Sequence, residues 1–258
     1  MLELIQFRHS PYNEKARWAL DVKQVPHRRR SLLPGPHMLT VKRLTGHTTT
    51  PVLLNGGEVI DGSGHIIEWL DAHYGAPKLI PSDPAERAEA LRIQRWFDED
   101  LTPRIRRVVL DALLVQPSAF ASVFADGAPA WKRAAFGCVV PLATSVIRKG
   151  NGITGPAAVE DGHRAAVEAL DFVAARSAAT GYLCGDHFSI ADITAASTLA
   201  VLVQPPESPM SCPEPLGSKF RAVVARYAQH PGAAWTRNIY AGHRGSSKDF
   251  DGPSPGAN

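Results

Sequence analysis

The feature that most constrains the fold of this 258-residue chain is a change of pattern near residue 75. Before it, short alternating apolar segments typical of strands are interleaved with helical periodicity, and after it the periodicity is helical throughout. Residues 75–84 are enriched in Gly, Pro, Ser and Asp, which is typical of a linker, and we place the linker at 77–84. The pattern predicts two domains, at 1–76 and 85–244.

The first domain is predicted to be a small α/β unit. Its elements are a strand at 2–7, a helix at 12–22, a strand at 27–30, a weak helix at 36–44, strands at 51–54 and 58–60, and a helix at 63–74. Asn55-Gly56-Gly57 between the last two strands is a strong hairpin signal. The order β-α-β-α-β-β-α matches the thioredoxin-like arrangement. In the first helix, Glu14, Lys15 and Arg17 are expected to face solvent.

The second domain is predicted to be all-helical. Its helices are expected at 85–114 with a possible kink at Pro103, and at 131–149, 157–176, 189–202 and 216–227. Segments 116–129 and 204–215 are expected to be loops that border a pocket. Ser189 and Asp192 form a predicted capping box, whose loss we expect to cost about 1 kcal/mol. Residues 245–258, rich in Ser, Gly, Pro and Asp, are expected to be disordered.

Composition excludes several classes of function. No apolar run approaches the roughly 20 residues that cross a bilayer, and the N-terminus has no basic segment of the kind that begins a signal peptide. A net charge of +3 is too small to indicate nucleic-acid binding. The three cysteines are far apart and form no C-x-x-C, which disfavours a disulfide scaffold or a zinc site and fits a reducing, cytoplasmic compartment.

Ser10-Pro11 marks the start of the first predicted helix, because Ser is a good N-cap and Pro is favoured at the first helical position. A plain N-cap is one interpretation of Ser10. The other is chemical: a hydroxyl at a helix start can donate a hydrogen bond to a sulfur anion, and the helix dipole adds to this effect. Such a site lowers the pKa of a bound thiol and makes it a nucleophile at neutral pH.

Four segments, taken in order, resemble the glutathione S-transferase family. In that family a Ser or Cys directly precedes Pro and an aromatic residue at the first helix, as Ser10-Pro11-Tyr12 does here. Thr50-Pro51 resembles the cis-proline before the third strand, and Ser63 resembles the serine of the turn that opens the third helix. The segment 185–193 resembles the capping box of the helical domain. Together these matches span about 200 residues.

The resemblance implies that the first domain binds glutathione, without a metal. Ser10 would be the catalytic residue. Thr50 and Pro51, joined by a cis bond, would offer backbone groups to the cysteinyl part of the tripeptide. Ser63, at a helix N-terminus, would hold the γ-glutamyl carboxylate.

Tyr12 and Gly62 are the remaining positions implied to contact glutathione. Two positions depart from the family pattern. Gly62 stands where an acid is expected to meet the γ-glutamyl ammonium, with Asp61 one residue early. Thr50 replaces an apolar residue. These departures concern the ligand rather than the fold, so a related thiol is an alternative to glutathione.

The implied function is that of a cytoplasmic, homodimeric detoxification enzyme that activates the thiol of glutathione for attack on a hydrophobic electrophile. The electrophile would lie between Ser10 and the long helix with Arg92, Trp96 and Phe97, although core packing explains both aromatic residues equally well. The alternative, which Gly62 favours, is a non-catalytic protein that binds ligands or partners in the same cleft. A thiol oxidoreductase is disfavoured because all three cysteines lie in the second domain.

Overall fold

The computed structural model describes residues 1–213, 216–245, 247 and 251–253. The first part is a mixed sheet in the order β4-β3-β1-β2-β5, with β1 parallel to β2 and antiparallel to β3. The strands are β1 Leu2–Gln6, β2 His27–Ser31, β3 Val52–Asn55, β4 Glu58–Asp61 and β5 Gly252–Pro253, and the helices are α1 Pro11–Val22, α2 His37–Thr45 and α3 Ser63–His73. The predicted thioredoxin-like class is confirmed.

Strand β1 lies in the middle of this sheet and is buried on both faces. Because successive side chains of a strand point to opposite faces, Leu4 and Ile5 enter different cores. Leu4 joins the main core with α1 and α3, whereas Ile5 packs with Val41 and Val52 beneath α2. The sheet is therefore covered by helices on both sides, and the loop that leaves β1 emerges at its edge beside the start of α1.

The second part is all-helical, as predicted. Its helices are α4 Pro84–Trp96, α5 Thr102–Leu114, α6 Pro117–Phe124, α7 Ala130–Gly150, α8 Pro156–Arg176, α9 Ile190–Val203, α10 Ser218–Tyr227 and α11 Pro231–His243. Helix α9 is buried along almost its whole length and forms the centre of the bundle. It packs against α1 of the first part as well as against helices of its own part.

The long helix predicted to be kinked at Pro103 is interrupted by a π-helical turn, Phe97–Leu101, between α4 and α5. The amide of Thr102 bonds to the carbonyl of Phe97, five residues earlier. The next carbonyl, that of Asp98, would need the amide of Pro103, which proline lacks. The Asp98 carbonyl instead accepts a hydrogen bond from the hydroxyl of Tyr12 in α1 at 2.7 Å.

Two helices were missed by the sequence analysis. Helix α6 occupies part of segment 116–129, which was predicted to be a loop, and α11 was not predicted at all. Each begins with proline at its first position, Pro117 and Pro231, which is a local signal for a helix start. At eight residues, α6 is also too short to show clear periodicity.

The tail predicted to be disordered from residue 245 lies partly outside the described residues. Of its described residues, Ser247 is buried, and Gly252–Pro253 forms the edge strand β5 against β2. Ser247 accepts a hydrogen bond from the buried guanidinium of Arg29 at 2.8 Å.

No single helix in the described ranges has the length and apolar character needed to cross a membrane; one sharply bent pair, the run 84–114 with α6, meets those criteria only when its two parts are taken together.

The predicted capping box of α9 is present. The Asp192 carboxylate accepts from the amide and hydroxyl of Ser189, both at 2.9 Å, and from the amide of Leu183 at 2.9 Å. Asp192 is fully buried, and burial raises its pKa to about 6.

We expect Asp192→Ala to lower the free energy of unfolding by about 2 kcal/mol. This exceeds the cost of a surface cap because the amides of Leu183 and Ser189 would be left buried without an acceptor. Urea denaturation measures the change. The control is Asp186→Ala, which removes an exposed carboxylate of the same loop and should have an effect below about 0.5 kcal/mol. Equal stability of the two variants would contradict the prediction.

Candidate functional site

Ser10 lies where the loop from β1 enters α1. Its backbone is extended, with φ −138° and ψ 125°, and its carbonyl accepts the first helical bond from Glu14 at 2.9 Å. The Ser10 side chain makes no capping hydrogen bond to α1, which begins with Pro11. Because Ser10 is partly exposed, its hydroxyl is available to an external ligand at the positive end of the helix.

The side chain of Arg17 stabilises the loop before Ser10 through hydrogen bonds. This guanidinium donates to the carbonyls of Phe7 at 3.2 Å and Arg8 at 3.1 Å, and to the side chain of Gln6 at 2.7 Å. Arg17 is fully buried, and burial lowers its pKa. The backbone that carries Ser10 is thus fixed by a charged side chain from the second turn of α1.

Arg17 belongs to a buried charge network, which we define as Glu14, Arg17, Asp21, Arg29 and Arg244. Glu14 pairs with Arg17 at 2.8 Å and with Arg244, whose other branch reaches Asp21 at 3.0 Å. Arg29 of β2 also pairs with Asp21. Burial lowers the pKa of Arg244, but Glu14 and Asp21 outweigh this effect and raise it above its ordinary value.

The prediction that Glu14, Lys15 and Arg17 face solvent is therefore wrong. All three are at most 1% exposed. Helical periodicity correctly placed Ala16, Ala19 and Leu20 inward, but it could not show that other segments cover the opposite side of α1. Lys15 is covered by Asp98 of the π-helical turn, with which it forms an ion pair.

Thr50 lies beside α1 and offers an open backbone edge. Its hydroxyl accepts from the amide group of Asn13 at 3.1 Å, which links it to the turn of α1 that follows Ser10. The Thr50–Pro51 peptide bond is cis, as the resemblance implied. The amide and carbonyl of Thr50 make no backbone hydrogen bond to the described residues, since β3 begins two residues later. An extended peptide can pair with these groups.

Gly62 and Ser63 form the start of α3, next to Pro51. The amide of Gly62 donates to the carbonyl of Pro51 at 3.1 Å. Ser63 is the first helical residue and is buried, and its hydroxyl makes no hydrogen bond to the described residues. A helix N-terminus with a free hydroxyl suits a carboxylate. Thus the structure brings Ser10, Thr50, Pro51 and this helix start to one side of the sheet.

Asp61 does not take the place of the acid that is missing at position 62, because its carboxylate is already paired. Its carboxylate pairs with the ring of His47, and its carbonyl accepts from His65 at 2.9 Å. His47 and Asp61 are both about two-fifths exposed, so this pair lies at the rim of the site.

Gly62 has a backbone conformation, φ 86° and ψ 136°, that L-residues rarely adopt. A Cβ here would meet nothing closer than 3.6 Å, so the constraint is conformational rather than steric. We expect Gly62→Ala to lower the free energy of unfolding by about 1–3 kcal/mol in urea denaturation. Gly57→Ala, in the nearby hairpin with open space around it, is the control and should change stability by less than about 0.5 kcal/mol. A neutral Gly62→Ala would disprove the argument.

Tyr12, one of the predicted glutathione contacts, directs its hydroxyl to the Asp98 carbonyl of the helical part. Burial, followed by the charge of Asp98, raises its pKa to about 12, so the phenol stays neutral. His9 likewise turns towards the helical part: Nδ1 lies 3.1 Å from the Met210 carbonyl and Nε2 lies 3.8 Å from Asp126. Both neighbours of the Ser10-Pro11 pair are therefore engaged across the interface between the two parts.

Next to Ser10, His9 forms one wall of a narrow apolar recess with a cavity volume of about 30 Å³. The other walls come from Val109 and Leu113 of α5, Val123 and Phe124 of α6, and Met210 and Cys212 of the loop after α9. Both segments expected to border a pocket do so, although residues 214 and 215 lie outside the described residues.

Arg92, Trp96 and Phe97, which were expected to border the electrophile, do not line the recess. Phe97 is fully buried, Trp96 packs edge-on against Phe172, and Arg92 pairs with Glu89 on the surface. The residues of the long helix that line the recess, Val109 and Leu113, lie 12 and 16 residues after Phe97, beyond the π-helical turn. In the described part of the chain, no group of three or more His, Cys, Asp or Glu residues is arranged to hold a metal ion.

Two sequence models match the chain. One, described as the N-terminal domain of glutathione S-transferase, matches residues 4–78, and the other, its C-terminal domain, matches residues 156–226. Together they cover more than half of the chain and follow the same order. The chain belongs to the glutathione S-transferase family. Its first part, which contains the sheet, and its helical second part are thus the two domains of a glutathione S-transferase fold.

Individual relatives are distant. A probable glutathione S-transferase from Solanum tuberosum is 31% identical over 90 residues, which are 34% of this chain and 42% of the relative. The match thus spans less than half the length of that curated relative. A glutathione S-transferase from Rhodospirillum rubrum F11 superposes with a TM-score of 0.61 at 20% identity, covering 93% of this chain and 87% of that one.

A further solved relative, from Methylobacillus flagellatus KT, was determined with glutathione bound. It superposes with a TM-score of 0.58 at 19% identity, covering 93% of this chain and 94% of that one. At this identity the likeness shows a shared fold. It extends through both parts of the chain, including segments that the two sequence models leave unmatched.

Proposed function

We propose that this protein is a glutathione transferase that activates the thiol of glutathione for attack on a hydrophobic electrophile. The observation that carries the proposal is the hydroxyl of Ser10, which stands at the start of α1 without capping it. The backbone amide and carbonyl of Thr50 and the start of α3 supply hydrogen-bonding groups for the tripeptide. The apolar recess is lined by His9, the residue that precedes Ser10.

The chemistry requires a sulfur anion. An unperturbed thiol has a pKa of about 8.5, so only a few per cent is ionised at pH 7. A hydroxyl hydrogen bond to a charged sulfur contributes about 1.5–3 kcal/mol, which lowers that pKa by about one to two units. The dipole of α1 acts in the same direction. With an aryl chloride, a carbon–sulfur bond forms, the carbon–chlorine bond breaks, chloride leaves, and the thiol proton passes to solvent.

The direct test measures conjugation of glutathione to 1-chloro-2,4-dinitrobenzene, together with binding of glutathione by isothermal titration calorimetry. The proposal expects saturable turnover above the uncatalysed rate and binding with one site per chain. Binding without turnover would instead support a non-catalytic ligand-binding protein. Absence of both would overturn the proposal that glutathione is the thiol.

The non-catalytic alternative is favoured by one observation. Gly62 provides no carboxylate for the γ-glutamyl ammonium, and the carboxylate of the adjacent Asp61 is already paired with His47. We therefore propose that glutathione is held weakly, and that affinity for its γ-glutamyl end is the property most reduced.

A thiol oxidoreductase would need a reactive cysteine near Ser10. Cys212 lines the recess, but burial and then the charge of Asp126 raise its pKa to about 12, so it stays protonated at neutral pH. Cys184 is buried, and Cys138 lies on α7. Homodimer formation, a cytoplasmic location and a role in detoxification stay predictions.

A further inference from the structure

Asn13 and Thr50 are joined by a side-chain hydrogen bond inside the candidate site. The Nδ2 group of Asn13, which is fully buried in the first turn of α1, donates to Oγ1 of Thr50 at 3.1 Å. Because the nitrogen is the donor, the oxygen of Thr50 is the acceptor and its own hydroxyl hydrogen stays available. That hydrogen has no acceptor among the described residues. Thr50 therefore carries a donor whose oxygen is held in place.

The hydroxyl of Thr50 lies beside the same turn of α1 as Ser10. Asn13 follows Ser10 by three positions, and residues at this spacing are neighbours on a helix, with Cβ atoms about 5–6 Å apart. The side chain of Asn13 reaches Thr50, so Ser10 and Thr50 both lie next to Asn13. Ser10 and Thr50 are partly exposed, whereas Asn13 is not. This arrangement puts a second hydroxyl near the position of a ligand atom bound at Ser10.

A purely structural role explains the Asn13–Thr50 pair poorly. The Oδ1 atom of Asn13 is buried and accepts no hydrogen bond from the described residues. A buried acceptor without a partner is unfavourable, and two apolar side chains of the same shape could replace such a pair at little cost. The chain nevertheless has Thr50 where the resemblance implies an apolar residue. Both features are explained if the Thr50 hydroxyl has a ligand atom to bind.

The surroundings of Thr50 favour an anionic acceptor. A hydroxyl whose oxygen accepts one hydrogen bond is polarised and becomes a stronger donor through its hydrogen. The start of α1, which Asn13 shares with Ser10, carries partial positive charge. Hydrogen bonds to a charged atom are also stronger than those to a neutral one. The hydroxyl of Thr50 is therefore suited to an anion held at the start of this helix.

We propose that the hydroxyl of Thr50 donates a second hydrogen bond to the sulfur anion of the bound thiol, and that Asn13 is the positioning residue that orients it. This inference rests on the proposed function and deepens it, because the thiol is then activated by two hydroxyls instead of one. Thr50 makes or breaks no covalent bond in this role, and the thiol proton still passes to solvent.

The test compares Thr50→Val with the unmodified protein, since valine keeps the branched shape and removes only the hydroxyl. The pKa of bound glutathione, followed by the ultraviolet absorbance of its thiolate, should rise by about one unit. The value of kcat/KM for 1-chloro-2,4-dinitrobenzene near pH 7 should fall about tenfold. Thr50→Ser, which retains a hydroxyl, should restore most of both losses. The control Thr49→Val removes a neighbouring exposed hydroxyl, 2.9 Å from His47 Nδ1, and should change neither value.

A second measurement separates this role from mere support of the loop. S-Methylglutathione offers the same backbone groups but has no thiol to ionise. In Thr50→Val its affinity, measured by calorimetry, should change less than about twofold, whereas the affinity for ionised glutathione should fall about tenfold. Equal losses for the two ligands, or an unchanged pKa of bound glutathione, would overturn the inference. If Thr50→Val fails to fold, Thr50→Ala replaces it with the same expectations.

The part of Asn13 is tested through Thr50. Asn13→Leu removes the donor and keeps a similar volume, so the pKa of bound glutathione should rise by less than it does in Thr50→Val. In a protein that already carries Thr50→Val, Asn13→Leu should cause no further rise, because its effect depends on the missing hydroxyl. Additive shifts, or no shift in Asn13→Leu alone, would overturn its assignment as the positioning residue.

The inference and the proposed function can fail separately. The pKa of bound glutathione is measured without turnover, so the inference can be judged even if conjugation is never observed. A raised pKa in Ser10→Ala with no change in Thr50→Val would overturn the inference and leave the proposed function intact. Absence of glutathione binding by the unmodified protein would overturn both.

Discussion

Ser10→Ala is expected to lower kcat/KM for glutathione conjugation by about 10- to 150-fold while leaving the free energy of unfolding within about 0.5 kcal/mol. The loss of rate corresponds to one hydrogen bond to a sulfur anion, about 1.5–3 kcal/mol. The unchanged stability follows because the Ser10 side chain makes no capping bond. A serine that served only as an N-cap would give the opposite result.

The pH dependence sharpens this test. Without the hydroxyl, the pKa of the bound thiol should rise by about one to two units, so the deficit of the variant should shrink as pH increases. The matched control is Ser189→Ala, because Ser189 does cap its helix, α9. That change should cost about 1 kcal/mol of stability with no effect on the rate. A deficit for Ser10→Ala that is the same at every pH would contradict the role assigned to the hydroxyl.

Arg244→Met is expected to lower the free energy of unfolding by about 3–5 kcal/mol, the range for removing one partner of a buried ion pair. Arg244 is about 1% exposed and contacts Glu14 and Asp21, both on α1. Its loss would leave these carboxylates with too few positive partners in a site that water does not reach.

Guanidinium denaturation measures this loss, with Arg164→Met as the control. Arg164 pairs with Asp161 at 3.3 Å but is 63% exposed, so its removal should cost less than about 1 kcal/mol. A loss below about 1 kcal/mol for Arg244→Met would mean that the buried charge network contributes little to stability. Since Glu14 also pairs with Arg17, which holds the loop before Ser10, we expect the same variant to show reduced activity under conditions in which it remains folded.

Much of the architecture could be predicted because it depends on local signals. The hairpin at Asn55-Gly56-Gly57, the proline at the start of α1 and the capping box of α9 are each determined by a few adjacent residues, and the structure has all three. The π-helical turn could be anticipated only as a kink, because its cause, Pro103, is local while its form depends on packing.

The residues of the candidate site could be named from the sequence, but the residues that hold them in place could not. Ser10, Thr50 and Ser63 could be named because they lie in recognisable segments. Glu14 and Arg17 could not, since a charged residue on a helix is ordinarily exposed and Arg244, the partner of Glu14, lies 230 positions away in sequence. The sequence analysis expected the electrophile beside Arg92, Trp96 and Phe97, whereas the recess meets later turns of the long helix. Periodicity does not show which side of a π-helical turn faces another part of the chain.

The carbonyl of Asp98 is free for Tyr12 because residue 103 is proline and has no amide hydrogen to offer. The hydrogen bond between α1 and the helical part therefore depends on the absence of an amide hydrogen at Pro103. Any ordinary amino acid there could supply the missing donor, and Tyr12 would then compete for the same oxygen. In this protein, the chemistry of one imino acid helps set how firmly the part that contains the sheet is attached to the helical part.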